Sequence, residues 1–283
     1  VLSTTPSVTL LFGLFDPSGQ QDLPADTITC AWHGCHGASV LTGVAIADST
    51  GFFHVEASNA ETVDEQARSL LEDMPIHAIK VGHVPSPEVA SVIAGVAADY
   101  SHASLVLHLP SGQTPTANDE EDQDSEPSVG AVLELLLPQT AVVVMGANAL
   151  DRWVNEEVLY HLDGTSGPQA ILALGADWVL VTGFAQRPGQ LINLLLGPDG
   201  ETIAWPWQPT GPRVQDLNGL IATALANHLA QGAEVPEAAK KACAHANDVA
   251  RSAFQAGMGH RLVARLPDQP PQPTQPHQPP ALP

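Results

Sequence analysis

The chain has 283 residues, 44% of them hydrophobic, with 10 basic against 31 acidic side chains and a net charge of −21. That length and apolar content suit one large α/β domain with a sizeable core, and the negative field excludes nucleic acid and anionic membrane as partners. Only Lys80, Lys240 and Lys241 are lysines, so chemistry on a nucleotide phosphate must rest on arginine, backbone amides or metal.

The first apolar run, residues 7–14, reads as a buried strand that feeds the turn Asp16-Pro17-Ser18-Gly19 and a helix over 25–35. A carboxylate thus stands at the carboxyl end of a strand, where ligands bind in open α/β sheets. Strands follow over 39–46, 76–81, 104–109, 141–145 and 178–182. Helices separate them over 61–72, 87–100, 129–137 and 168–174. Strands 191–196 and 201–205, split by Gly197-Pro198-Asp199-Gly200, read as an antiparallel hairpin. Two helices, 216–231 and 236–256, close the folded part.

Several of these strands are continuous Val/Ile/Leu runs without alternation, as in a parallel sheet covered on both faces. The pattern predicts a three-layer α/β/α fold with a central, mostly parallel sheet, in one domain over 1–266. Segment 114–128 carries DEEDQDSE and reads as an acidic disordered insertion, a solvated loop rather than a lid. Tail 267–283 is proline-rich and reads as extended and passive, although an aromatic-lined groove could bind it.

Three cysteines, Cys30, Cys35 and Cys243, argue against a disulfide framework and fit a reducing compartment. No apolar run has the length of a membrane span, and no basic, apolar leader opens the residues given. The expectation is a cytoplasmic protein. Cys30, His33, Cys35 and His36 are metal-ligand types in close sequence, but no second pair completes a zinc set, so no metal site is expected.

LFDPSGQQDLPAD (residues 14–26) resembles the opening motif of hydroxymethylpyrimidine and phosphomethylpyrimidine kinases, roughly G-S-D-P-S-G-G-A-G-I-Q-A-D. These are thiamine-biosynthesis enzymes of the ribokinase-like superfamily. The resemblance continues through GASVLTGVAIADS (37–49), IHAIKVGHV (76–84), LLPQTAVVV (136–144), ALGADWVLVTG (173–183) and FQAGMGHRLVARLPD (254–268). It implies the ribokinase-like α/β/α fold, ATP and Mg²⁺, a pyrimidine-like small molecule and a homodimer. It places Asp16, Asp26, His83 and His108 at the substrate end, and Gly183 and Asn218 on the nucleotide side.

The departures concentrate at the chemistry. Asp26 keeps the acid that meets the pyrimidine, but Gln20, Gln21 and Asp22 replace a glycine-rich stretch. Ala47 stands where the family has a ring-binding glutamine, and Leu14 and Phe15 replace a small Gly-Ser pair. The family's H-G-T-G-C anion loop aligns with Gln215-Asp216-Leu217-Asn218-Gly219. Its glycines become Asp216 and Asn218, and its catalytic base becomes Gly219. The acid of the V-L-D-P strand end becomes His108, followed by Leu109. The residues that help organise Mg²⁺ become Gly146 and Ala149, and a phosphate-side lysine becomes Thr182.

Phosphoryl transfer rests on positioning and electrostatics, so these losses strike at the mechanism. Asp216 could be a displaced base, about 5 Å from the usual position, or a plain helix N-cap, which its residue type favours. His83 and His108 could line the pocket or be satisfied rim histidines. Trp205 and Trp207 could stack a flat ring or pack a loop. Two functional expectations stand: a kinase homologue with impaired catalysis and weak or absent ATP binding, or a non-catalytic descendant binding a small molecule or a protein partner.

Overall fold

A computed structural model describes residues 5–110, 125–155, 159, 167–207 and 214–265. Most of the acidic insertion 114–128 and the tail 267–283 lie outside the described residues; residues 125–128 of the insertion fall in a helix.

The chain opens with β1 (Val8–Phe15), α1 (Asp22–Trp32), β2 (His36–Asp48) and β3 (Gly51–Ala57). It continues with α2 (Ala60–Asp73), β4 (Ile76–Val81), α3 (Pro87–Asp99) and β5 (Ser104–Leu109). Next come α4 (Ser125–Ala131), β6 (Val142–Gly146), α5 (Ala147–Asn155), α6 (Gly167–Ala173) and β7 (Trp178–Arg187). Last are β8 (Gln190–Leu196), β9 (Thr202–Pro206), α7 (Leu217–Ala230) and α8 (Val235–Arg251). A π-helical stretch, Val132–Leu136, and a 3-10 turn, Leu137–Gln139, extend α4 to Pro138, which cannot donate a backbone hydrogen bond.

One sheet has the order β3-β2-β1-β4-β5-β6-β7-β8-β9. Neighbours from β2 to β7 pair in parallel, while β3, β8 and β9 join antiparallel. The buried middle matches the unbroken apolar runs: β1 and β6 bury nearly every residue. Helices α2, α3, α5 and α6 pack on one face, and α1, α7 and α8 on the other. This is the three-layer α/β/α arrangement.

Strand order reverses at β1, which has β2 on one side and β4 on the other. The crevice at their carboxyl ends is the topological switch point. The Asp16 turn follows β1 there, and Gly82–His83 follow β4, with the Gly82 amide donating to the Phe12 carbonyl at 2.8 Å.

Three elements differ from the sequence expectation. The hairpin strand β3 was not expected; it is half-exposed and pairs only with β2. Helix α5 was not expected either. Helix α8 stops at Arg251 instead of running to 256. Beyond it, residues 253–265 form a strap held by a bridge between Phe254 and Leu262.

Candidate active site

The switch point holds a buried ionic cluster. Lys80 occupies the middle of the sheet on β4, with its side chain fully buried. A buried ammonium must be paired, and α1 supplies the partners. Asp26 Oδ2 lies 2.5 Å from Lys80 Nζ, and Asp22 Oδ1 lies 3.6 Å away. Asp26 Oδ1 accepts from Thr223 Oγ1 of α7 at 2.6 Å, so both of its oxygens are engaged. Burial opposes the charge of Lys80, but Asp26 and Asp22 outweigh it and hold its pKa above normal.

Asp22 has φ 51°, left-handed backbone at a position where the resembling motif has glycine. Its carboxylate turns back under the sheet ends. Oδ2 accepts from the Leu14 amide at 3.2 Å and meets His83 Nδ1 at 2.8 Å. A Cβ at Gly82 would lie 3.1 Å from Asp22 Cγ and 2.9 Å from Lys80 Nζ, so Gly82 leaves room for this pair. Burial works to raise the Asp22 pKa, yet His83 and Lys80 outweigh it and hold it well below the usual carboxylate range. Burial works to lower His83, and Asp22 reverses that and raises it. His108, at the end of β5, has no such partner: burial, then Lys80, lower its pKa to about 3. Its imidazole is neutral, and its buried Nδ1 has no hydrogen-bond partner among the described residues.

Asp16 is buried and ties its own turn, accepting from the amides of Ser18 (2.8 Å), Gln20 (3.2 Å) and Gln21 (3.1 Å) and from Ser18 Oγ. The structure therefore brings Asp26 and His83 into one cluster with Asp22 and Lys80. His108 lies within electrostatic reach of that cluster. Asp16 stands beside it as a structural tie.

The other end of the site is the start of α7. Asp216, φ 56°, is its N-cap, and Oδ1 accepts from the Gly219 amide at 3.1 Å. A Cβ on residue 219 would sit 2.6 Å from Asp216 Cγ, so glycine there is what lets the carboxylate fold over the helix end. The Asp216 side chain is 3% exposed, and Arg265 Nη2 stands 3.8 Å from its Oδ2. Burial raises the Asp216 pKa to about 7, against the pull of Arg265 and Lys80. Asn218 Oδ1 accepts from Thr182 Oγ1 at 2.7 Å, which joins the end of β7 to α7. Gly183 follows with φ 67°, and a Cβ there would lie 3.7 Å from the Trp207 ring. Trp207 packs beside that turn, and Trp205 packs against the core under α7 and α8.

Residues in the positions that the resemblance assigns to Mg²⁺ do not suit the ion. Gly146 ends β6, Ala149 is fully buried in α5, and neither has a side-chain oxygen. Among the described residues, no three or more His, Cys, Asp or Glu form a metal-binding group. Cys30 is buried, with Sγ 3.3 Å from Asn227 Oδ1 and its thiol pushed up to about 12 by burial. His33 instead packs against His228 and His245 at ring separations of 4.9 and 4.5 Å.

Four participants were not marked in the sequence: Lys80, Asp22 as an ionic partner, Thr223 and Arg265. Lys80 was detectable, because a lysine inside the buried-strand pattern IHAIKV requires a paired acid. Arg265 had no local signal. It belongs to the strap, and its Nη2 reaches the Gln20 carbonyl at 3.0 Å across 245 positions of sequence.

The phosphomethylpyrimidine kinase family profile matches residues 16–264. Similar to the chain is a hydroxymethylpyrimidine/phosphomethylpyrimidine kinase of Streptomyces coelicolor, 26% identical over 257 residues, covering 90% of this chain and 93% of that protein. Among solved structures, a phosphomethylpyrimidine kinase from Clostridium difficile superposes with TM-score 0.67 at 21% identity, over 85% of this chain and 98% of that one. An ADP complex of Bacillus subtilis pyridoxal kinase superposes with TM-score 0.76 at 19% identity, over 92% and 98%. The sheet order, the helices on both faces and the matched span agree: this chain belongs to the phosphomethylpyrimidine kinase family.

Proposed function

We propose that this chain is a hydroxymethylpyrimidine/phosphomethylpyrimidine kinase homologue in which phosphoryl transfer is lost or strongly impaired while a small-molecule site remains. The observation that carries this reading is the start of α7. Residue 219 has no side chain to take a proton, and the Asp216 carboxylate lies over the Gly219 amide that should face a developing negative charge. Gly146, Ala149 and Thr182 supply neither metal ligands nor a cation. Weak or absent nucleotide binding follows, whereas the similar Bacillus pyridoxal kinase was solved as an ADP complex.

At the substrate end, Asp26 is committed to Lys80 and Thr223. The polar contact to a flat nitrogen heterocycle passes to His108, whose buried Nδ1 has no protein partner among the described residues, and to His83 beside it. The homodimer that the resemblance implies is part of the proposal, and sedimentation velocity checks it. Calorimetric titrations with ATP-Mg²⁺ and with hydroxymethylpyrimidine test the reading. It expects pyrimidine binding without tight nucleotide binding; a low-micromolar Kd for ATP-Mg²⁺ contradicts it.

A second reading rests on one observation. Asp216 is buried, with a pKa raised to about 7, the value a general base needs near neutral pH. In that reading, it replaces the missing base and a slow kinase activity persists. Turnover that disappears in Asp216→Ala supports this reading.

A further inference from the structure

We propose that the ring-binding end of the site selects a lactam edge, an oxo group beside a ring N–H, over the edge of an aminopyrimidine, and that Asp22 and His83 set this choice. The proposal rests on the reading of this end as a retained small-molecule site and adds which ring that site prefers.

Charge balance fixes the state of His83. Lys80, Asp26 and Asp22 meet at the switch point, each with a side chain at most 2% exposed. One ammonium does not neutralise two buried carboxylates, and an uncompensated buried charge is costly. The second cation is His83, whose side chain is 6% exposed and whose Nδ1 lies 2.8 Å from Asp22 Oδ2. A carboxylate only accepts, so Nδ1 carries a proton, and charge balance places a second one on Nε2. The surrounding groups agree. Asp22 and Asp216 favour the charged ring, burial and Lys80 oppose it, and the pKa ends above normal. Thr42 Oγ1 donates to the His83 carbonyl at 2.9 Å, and the Phe52 ring meets the imidazole edge-on at 5.2 Å, so the residue is held in place. Its Nε2 has no protein partner among the described residues and is left for a ligand at the crevice.

The acceptors that an exocyclic amino group needs are already engaged by protein donors. Asp26 gives its oxygens to Lys80 and Thr223. Asp22 gives Oδ2 to the Leu14 amide and to His83, and faces Lys80 with Oδ1. Asp16 is taken by the amides of its own turn. Ala47 has no polar side-chain atom. What remains is a charged donor, His83 Nε2–H, beside the neutral imidazole of His108, whose buried Nδ1 has no partner among the described residues. A neutral imidazole carries one N–H and one lone pair. An oxo oxygen accepts from His83, and the adjacent ring N–H donates to the His108 lone pair. An amino group would set its own N–H against the His83 donor.

The test is calorimetric titration at neutral pH of two rings, hydroxymethylpyrimidine and its deaminated counterpart, in which an oxo group replaces the amino group. Both are titrated into wild type and Asp22→Asn. Wild type should bind the oxo ring at least about tenfold more tightly than the amino ring, as expected for a charge-assisted hydrogen bond set against a donor–donor clash. Asp22→Asn removes one buried acid, so Lys80 and Asp26 balance alone and His83 gives up its second proton. Nε2 then offers a lone pair, and the preference should shrink to within about threefold or reverse. A merely structural role for Asp22 would weaken both rings alike and leave their ratio unchanged. Nitrogen chemical shifts of histidine-labelled wild type, assigned against His83→Gln, supply a readout that does not depend on how Asp22→Asn folds: both ring nitrogens of His83 should be protonated at neutral pH. Equal or tighter binding of the amino ring by wild type overturns the proposal. So does an unprotonated Nε2, or a ratio that Asp22→Asn leaves unchanged. Binding of the amino ring alone defeats this inference and leaves the retained site standing, whereas binding of neither ring defeats both.

Discussion

Lys80 illustrates how one residue fixes the interior of the site. Its ammonium is buried in the sheet against Asp26 at 2.5 Å, so Lys80→Met leaves a buried carboxylate without its counter-charge. Chemical denaturation should show a loss of about 3–5 kcal/mol. A loss below 1 kcal/mol would mean that the pair is not closed to water. Asp216 behaves oppositely. Its pKa is raised from 3.8 to about 7, so the native state holds a proton that the unfolded chain releases. Its contribution is intact below about pH 4 and is lost as pH rises to 7. Asp216→Asn removes that cost without disturbing the cap. The variant's melting temperature, taken relative to wild type, should therefore climb steadily from pH 4 to 7.5. A difference that is flat with pH would contradict this assignment. Measuring the difference matters because His33, His228 and His245 have lowered pKa values and stabilise both proteins over part of the same range as pH rises.

At the scale of elements, α7 and the strap 253–265 carry the unusual features. Gly219→Cys places a thiol where the proposed alignment puts the family base, but its Cβ meets the Asp216 carboxylate. Overpacking of this kind costs about 1–3 kcal/mol. A melting scan should show Gly219→Cys destabilised and Asp216→Gly/Gly219→Cys largely recovered. The strap is hooked to the β2–β3 turn through Ser49, which accepts from the His260 amide at 2.6 Å and the Gly259 amide at 3.0 Å. A Cβ at Gly259 would sit 2.5 Å from the Thr50 nitrogen. Gly259→Ala should release the hook, seen as faster amide exchange over 254–265 with α8 unchanged.

The central strands were legible because continuous apolar runs such as IHAIKV and SLVLHL have one physical use, burial on both faces. Strand β3 was not, because only Val55 of its residues is buried and its pairing depends on the turn after Asp48. The motif register led to Asp216 and Gly219, whose mutual contact the structure supplies. Asp22 could be placed opposite a glycine, but its approach to His83 and Lys80 depends on the left-handed turn it adopts. Arg265 was invisible, since nothing local in ARLPD says where a strap will cross the sheet.

For the whole molecule, the net charge is −21. Ribokinase-like architecture survives, with its crevice at the switch point. Under the proposed function, the Asp216 carboxylate and the neutral residues Gly146, Ala149 and Thr182 weaken the positive potential that phosphoryl transfer requires. Among the described residues no helix is long and apolar enough to cross a membrane. The most direct measurement of the central claim is transfer of phosphate from ATP-Mg²⁺ to hydroxymethylpyrimidine by the purified full-length chain. Loss of a positioned base costs about 10²- to 10⁴-fold in rate, and a spoiled anion hole about a further 10²- to 10³-fold. The account predicts no turnover above background for wild type and none for Gly219→Cys. The triple variant Asp216→Gly, Asn218→Gly, Gly219→Cys should exceed the single one. Robust wild-type turnover that survives Asp216→Ala would contradict it.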